Sequence, residues 1–290
     1  AVPIKSLFVY NANPVIAAAN QLKLLENLCR KDLFTVVSEI FQTDTCDYAD
    51  ILLPATSQME QKDLMYSWGH YNIQFNHKAI EPLGEAVSNT ELFRRLAEVF
   101  LFGDDVFTRD DDEIMSKAML WDHKNLDGIT LQSISEQGFA RLNVGDAKNR
   151  TPHRNGEFPT ASGKFEFASS QSKSGGDILV VYRQGVDDKK KYPAVDALPS
   201  YKPNAIPDDG FVLISPKHHY FLNSGYANFN LDNEVANKQT VMINTADAEV
   251  RGIGQGEKLI LWNDLAEVSV FADVTDDVIN GVLVVSHGFW

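Results

Sequence analysis

The chain opens with short apolar runs separated by polar breaks. Ser6–Tyr10 reads as a buried strand, and Leu33–Ile40 as a second apolar one rich in β-branched residues. Between them, Val15–Lys31 sets Ile16, Leu22, Leu25 and Leu28 near helical spacing and predicts one amphipathic helix. The break before it, Asn11-Ala-Asn-Pro14, follows from Pro14, which disfavours helix at Asn13. A polar stretch, Thr43–Tyr48, leads to a third apolar run, Ala49–Pro54, stopped by proline. Strand, helix, strand, short connection and strand in that order predict part of a parallel, Rossmann-like α/β sheet.

Helical signals follow. Ser88-Asn-Thr-Glu91 has capping-box spacing ahead of Leu92, Leu96 and Val99. Asp110–Leu120 carries acids at its positive end, and Thr130–Gln137 runs into Gly138, a residue suited to ending a helix. Phe158–Phe167 reads as extended, Ser169–Asp177 as a Gly/Ser loop, and 183–210, with Lys189-Lys-Lys191 and several prolines, as a surface connection. From Gly210 the pattern turns to short β runs at Phe211–Ser215, Thr240–Asn244, Glu257–Trp262, Glu267–Val274 and Gly281–Val285. One short helix, Ala246–Arg251, lies among them, and Asn263-Asp264 marks a turn. The expected organisation is an α/β domain over 1–150, a connector over 151–209 and a mostly β barrel over 210–290.

Charge narrows the function. The 26 basic and 40 acidic residues give a formal net charge of -14, which repels phosphate backbones and anionic lipid. Nucleic-acid and membrane-surface roles are therefore set aside. No run of apolar residues is long enough for a transmembrane helix. Cys29 and Cys46 are too few to ligate an iron–sulfur cluster and read as two separate thiols. The first strand begins almost at residue 1, so both ends read as cut edges of something longer.

Three places carry candidate chemistry. The turn holding Asn11 and Asn13 sits where a parallel sheet binds ligands, beyond the carboxyl end of a strand; it also reads as an ordinary Asn-Pro turn. At the end of the second strand, a carboxylate on Glu39 can accept from N1–H and the amino group of guanine, and Thr43 can bind phosphate. Capping by Thr43 or Asp44 is the plainer account. The third is Ser215-Pro-Lys-His-His-Tyr-Phe-Leu-Asn-Ser224. Here Lys217 and His218 can meet a pyrophosphate and Asn223 and Ser224 a heterocycle, against the plainer reading of a polar loop. Adjacent histidines diverge, so His218 and His219 do not form a metal pair. His70 and His77 fall on opposite faces of a strand, and Glu60 with Asp63 reads as an exposed helix face rather than an acid–base pair. No metal ligands and no catalytic residues are assigned.

Several segments together resemble one family. Asn11-x-Asn-Pro14, Glu39-Ile-Phe-x-Thr-Asp-Thr45, Ala49-Asp-Ile-Leu-Leu-Pro54 and Glu81-Pro-Leu-Gly-Glu-Ala86 are similar, in order, to the third domain of molybdopterin oxidoreductases of the dimethyl sulfoxide reductase family. Phe158–Glu166, Asn223-Ser-Gly-Tyr-Ala-Asn228, Val241–Ala248, Gly252–Glu257 and His287-Gly-Phe-Trp290 resemble the approach to its last domain and the core and loops of that domain. The resemblance implies a double-psi β-barrel and a cofactor of two molybdopterin guanine dinucleotides holding molybdenum or tungsten. It carries Asn11, Asn13, Glu39 and Thr43 to one dinucleotide contact, and Lys217, His218, Asn223, Ser224, Asn228 and His287 to the other. Glu39 stands where the family more often has aspartate.

The family's cysteine motif and its metal-ligand domain have no counterpart here. The chain alone is thus expected to bind cofactor without turning over substrate, as a fragment of a molybdenum or tungsten oxidoreductase that transfers an oxygen atom or a hydride/electron pair. The expected partners are the remaining domains of that parent or electron-transfer subunits, with self-association through an exposed apolar edge left open. The compartment stays open between cytoplasm and periplasm of a bacterial-type cell. Two rivals remain: a cofactor-free scaffold, like the relative of this fold in respiratory NADH dehydrogenase, and an unrelated small-molecule enzyme using Glu60/Asp63 or a histidine pair.

Overall fold

The computed structural model describes residues 4–146, 148, 150–169, 196–201, 203, 209–226 and 238–288. The chain divides into two compact units, Ala1–Asn143 with Pro207–Trp290, and Val144–Ile206. In the first, β1 (Ser6–Tyr10), β2 (Phe34–Glu39) and β3 (Ile51–Pro54) form a parallel sheet in sequential order. Ser6 pairs with Phe34, Tyr10 with Ser38, and Glu39 with Pro54. The period-two alternation of β1 explains its two coverings. Leu7 and Val9 join Val37, Cys46 and Ala49 in one core cluster, while Phe8 and Tyr10 meet the Phe93 ring from the opposite face. Phe93 belongs to α3 (Asn89–Phe100). Ile51 and Leu52 of β3 stay exposed, as expected for an apolar sheet edge.

The single helix expected over Val15–Lys31 is instead two. The helix α1 (Pro14–Ala17) ends where Ala18 turns extended, and Asn20, in the left-handed region at φ 57, starts α2 (Gln21–Leu28). The alanines between favour helix, so tertiary contact overrides propensity. Gln21 Nε2 donates to Val15 O at 2.8 Å and fixes the corner between the two helices. Ser88 caps α3 by accepting from Glu91 N–H, but the reciprocal half of the expected box is spent elsewhere: the Glu91 carboxylate pairs with Arg94 and Arg95. Of the next two helices, the first gains a capping box beyond the acids expected at its start, and the second ends at the expected glycine. Asp110 and Glu113 form the box of α4 (Asp111–Ala118), and Gly138 at φ 82 ends α5 (Leu131–Gln137).

A small antiparallel sheet of β4 (Asp63–Tyr66), β5 (Asn72–Asn76) and β6 (Phe139–Arg141) packs beside α5, burying Ile73 and Ile134. In the second unit, Phe158–Phe167 is not extended as expected. The chain doubles back, with Phe158 N–H donating to Gly163 O and Gly163, at φ 68, closing a turn on Thr160 O. Residues 170–195, with the predicted Ser/Gly loop and the three lysines, lie almost wholly outside the described residues.

The last described region is a five-stranded sheet. Its strands are β7 (Val212–Ile214), β8 (Thr240–Ile243), β9 (Lys258–Trp262), β10 (Glu267–Val274) and β11 (Val282–Val285), in spatial order β7-β11-β8-β10-β9. Pairings β7/β11 and β8/β10 are parallel, and β8/β11 and β9/β10 antiparallel. The sheet curls around Val241, Ile243, Ala248, Val270, Leu283 and Val285. Asn244 caps α6 (Thr245–Arg251) and ties it down by donating to Val278 O; Gly252, at φ 66, ends it. Asn263 makes the expected turn, its Oδ1 accepting from Leu265 and Ala266 N–H.

Glu60 overturns the exposed-face expectation. It is buried, at the end of a 3-10 turn (Gln58–Glu60), and its two carboxylate oxygens accept from Ser57 N–H and Leu83 N–H, each at 2.7 Å. Asn76 Nδ2 fastens the same turn by donating to Gln58 O and Gln61 O. These bonds, led by the one from the Ser57 backbone, hold the Glu60 carboxyl below its ordinary range. Its contribution is therefore present above the unfolded carboxylate range and lost as pH falls through the lowered folded value. Glu60→Gln sets an amide NH2 against a backbone N–H and should lower thermal stability at neutral pH. The gap to the unaltered chain should close in acid when melting is followed by circular dichroism; a pH-independent gap counts against the carboxylate's role.

Candidate functional site

All three strands of the parallel sheet point the same way, so their carboxyl ends share one edge. Asn11 leaves β1 in the left-handed region at φ 52, its N–H donating to Ser38 O at 3.3 Å. Asn13 is buried, and its carbonyl starts α1 by accepting from Ile16 and Ala17 N–H. Its side-chain Oδ1 accepts from the Thr45 hydroxyl at 2.7 Å. Thr45 Oγ1 in turn accepts from Val15 N–H at 3.2 Å, so Thr45, itself fully buried, joins the turn after β1 to the 3-10 helix (Asp44–Tyr48) after β2.

That arrangement leaves polar atoms over. Asn13 Nδ2, Ser38 Oγ and Asp44 Oδ2 are closed off from water and have no hydrogen-bond partner among the described residues. Thr43 makes no side-chain cap; its hydroxyl lies 3.6 Å from Cys46 Sγ. Glu39 is half-buried, and its Oε1 already accepts from Ile40 N–H at 2.8 Å, so it offers one oxygen where two were expected. Asn11, Asn13, Glu39 and Thr43 lie at or just beyond the carboxyl ends of β1 and β2, on one edge of the sheet, and their side chains make no hydrogen bond to one another. The sequence reading passed over Thr45; its signal is a polar Thr-Asp-Thr triplet straight after an apolar strand.

The second candidate group forms at the end of β11. Lys217 and His287 make an isolated parallel bridge, with His218 N–H donating to His287 O at 3.2 Å and His287 N–H to Pro216 O at 2.9 Å. Asn223, at φ 54, lies in a tight loop closed by Gly225 N–H on Leu222 O. Gly288 presses on that loop: a Cβ there would stand 2.6 Å from Phe221 Cβ and 3.1 Å from Asn223 O. Lys217, His218, Asn223 and His287 are thus assembled by backbone contacts, with the half-buried Ser224 beside Asn223. Asn228 lies outside the described residues. Burial, and then the neighbouring His219, lower the His218 pKa, which favours the neutral ring at neutral pH. Its Nδ1 accepts from Tyr220 N–H, placing the ring proton on Nε2. The cation of this group is Lys217.

The remaining candidates do not assemble. His70 precedes β5 and accepts from Asn72 N–H, while His77 follows it and bonds Ser135 O. Asp63 is exposed and bonds its neighbour Leu64, not Glu60. Cys29 is exposed and Cys46 buried, both free. Among the described residues no group of three His, Cys, Asp or Glu is placed to hold a metal, and no helix is long and apolar enough to cross a membrane.

The two candidate groups are a parallel-sheet edge rich in amides and a loop of the curled sheet that carries Lys217 and His218. Residues 1–99 match the molybdopterin oxidoreductase family and residues 211–290 the molybdopterin dinucleotide binding domain. The chain belongs to the molybdopterin oxidoreductases of the dimethyl sulfoxide reductase family. It is 38% identical, over 99% of its length, to a probable oxidoreductase of Bacillus subtilis, of which it covers 39%. It is 27% identical over its full length to a dimethyl sulfoxide reductase of Escherichia coli, covering 37%. In fold it matches acetylene hydratase from Pelobacter acetylenicus, with a TM-score of 0.75 at 20% identity over 99% of this chain and 37% of that one. The chain therefore spans about two-fifths of the length of these relatives.

Gly288→Ala tests the second assembly. The added methyl must displace Phe221 or the Asn223 carbonyl from a backbone at φ 114. The expected loss is about 1–3 kcal/mol of stability, with chemical-shift changes centred on residues 217–225. Shifts spread over the whole sheet instead would show that the loop is not held by this contact.

Proposed function

We propose that this chain binds molybdopterin guanine dinucleotide within a molybdenum or tungsten oxidoreductase. In this reading 1–150 and 210–290 are its two binding modules, joined by 151–209, and the curled sheet of the second is a double-psi β-barrel. The observation that carries the reading is the buried, unpartnered amide nitrogen of Asn13 at the shared carboxyl edge of the parallel strands. Such a donor lacks a partner among the described residues and fits an acceptor on a ligand.

The residues suit the group chemically. Asn11 and Asn13 present amides, Glu39 one free carboxylate oxygen and Thr43 a hydroxyl to the guanosine end of one dinucleotide. At the other contact Lys217 supplies the positive charge for a pyrophosphate, His218 a neutral N–H, and Asn223 and Ser224 polar groups for a heterocycle; Asn228 and His287 complete the set. Lys217 is exposed and its loop is held by main-chain bonds, so the cation is presented without ordering a long segment. The whole protein's oxygen-atom or hydride/electron-pair transfer belongs to the metal of the bound cofactor. This chain's residues bind and orient; they make no covalent step. The rest of the parent polypeptide and electron-transfer subunits are the partners in this reading.

Calorimetric titration with GDP and ADP tests it. GDP should bind at least tenfold tighter than ADP, and Asn13→Ala should weaken GDP about tenfold, the cost of one buried hydrogen bond. Equal affinities, or none, would sink the nucleotide reading.

A further inference from the structure

The proposed function leaves one cavity unused. It lies within the second compact unit, between the doubled-back segment 158–169 and the segment 196–199. Its volume is about 660 Å³, within the range of small-molecule sites. Ser169 N–H donates to Ala197 O at 2.8 Å and holds the two walls together. Three phenylalanines line it. The Phe158 and Phe165 rings stand 5.7 Å apart at 73°, and those of Phe165 and Phe167 5.0 Å apart at 71°. Rings set near right angles close a volume from more than one side, as the walls of an aromatic cage do. His153 stacks on Phe158 at 4.5 Å, and the Thr160 hydroxyl fixes the backbone before Phe165 by donating to Lys164 O at 2.7 Å. Phe165 is nonetheless 60% exposed and Phe167 79%, so neither ring is spent on a core.

The charge in the lining is of one sign. Glu166 and Asp196 line the cavity, and no lysine or arginine does. Among the described residues neither acid is in an ion pair. Glu166 Oε1 accepts from Ser162 N–H at 3.2 Å and from its hydroxyl at 2.7 Å, so neutral donors fix the carboxylate and leave its charge uncompensated. Aromatic faces attract cations. They offer little to replace the water that a bare ammonium loses, whereas a methylated ammonium has no N–H to satisfy and presents apolar surface. We propose that this cavity binds a small quaternary ammonium cation, with the rings of Phe165 and Phe167 against its methyl groups and Glu166 and Asp196 balancing its charge. The proposal stands apart from the nucleotide reading, because none of its residues belongs to either dinucleotide contact.

The test is a titration of the full chain with choline, with its uncharged carbon isostere 3,3-dimethylbutan-1-ol, and with ethanolamine, following the NMR signals of Phe158 and Phe167. Choline should saturate the shifts, and the other two should bind about tenfold more weakly, one for want of charge and one for want of methyl groups. Phe165→Leu keeps apolar bulk at an exposed position and should weaken choline roughly threefold or more, whereas Phe165→Trp supplies a stronger π face and should bind at least as tightly as the unaltered chain. Glu166→Gln keeps an acceptor for Ser162 and should weaken choline while leaving the isostere unchanged. Affinity kept by Phe165→Trp and lost by Phe165→Leu is a pattern that misfolding cannot give. If the uncharged alcohol matches choline, the cavity takes apolar bulk and the proposal is overturned. It is overturned equally if ethanolamine matches choline, if Phe165→Leu binds choline as the unaltered chain does, or if choline produces no saturable shift.

Discussion

The Thr45 hydroxyl is the joint on which the candidate site depends. It accepts from Val15 N–H and donates to Asn13 Oδ1, so one buried oxygen satisfies a helix-start donor and orients an amide. Without it, the turn after β1 and the 3-10 helix after β2 would be two separate loops on neighbouring strands. With it, the position of Asn13 is set by the register of β1 against β2, in which Tyr10 faces Ser38. Parallel pairing makes this possible, because only strands running the same way deliver their loops to one edge.

Much of the α/β architecture was legible because buried parallel strands announce themselves as unbroken apolar runs. Ser6–Tyr10 begins and ends where the pattern does, and so, in the curled sheet, does the half-exposed Glu267–Val274. Local chemistry was equally readable where it closes within a few residues, as in the acids at the start of α4 and the glycines at 138 and 252. Some failures were local, as in the turn at Gly163 that folds Phe158–Phe167 back on itself, but the larger ones were long-range. Glu60 looks like a solvated acid because one of its two partners, Leu83 N–H, lies 23 residues away. The break at Ala18 runs against good helix formers and follows from contacts of Val15 with Thr45 and Gln21. The press of Gly288 on Phe221 joins positions far apart in sequence, and no spacing rule reports it.

Of the candidate residues, the asparagines and Glu39 stood out in the sequence because amides and acids after a parallel strand lie at the edge where such sheets bind ligands. The division of labour among them did not. Which carboxylate oxygen is already used depends on side-chain conformation: Glu39 turns back on its own chain, whereas Asp44 keeps an oxygen unpaired. Likewise, the sequence names Lys217 and His218 as partners for a pyrophosphate without fixing the charge of the ring. Only burial beside His219 shows that the ring favours its neutral form, leaving a single positive charge in that pair. In a chain with a formal charge of -14, one localised cation directs an anion to a particular loop rather than to the surface at large.

The same polar accounting weighs against a cofactor-free scaffold. A buried group without a partner destabilises a fold by about 1–3 kcal/mol, and replacing it with an apolar side chain of similar shape removes that penalty. Among the described residues Asn13 Nδ2 and Asp44 Oδ2 are both in that state, Asn13 bonded through its other amide atom to Thr45 and Asp44 next to that threonine in sequence, while the barrel-like core at Val241, Ile243 and Val270 is wholly apolar. A protein kept only for its shape has no use for such a donor and acceptor left unpaired. A protein that must bind a base has, because a site whose polar atoms are complete only with the right ligand rejects the wrong one by leaving them unpaired.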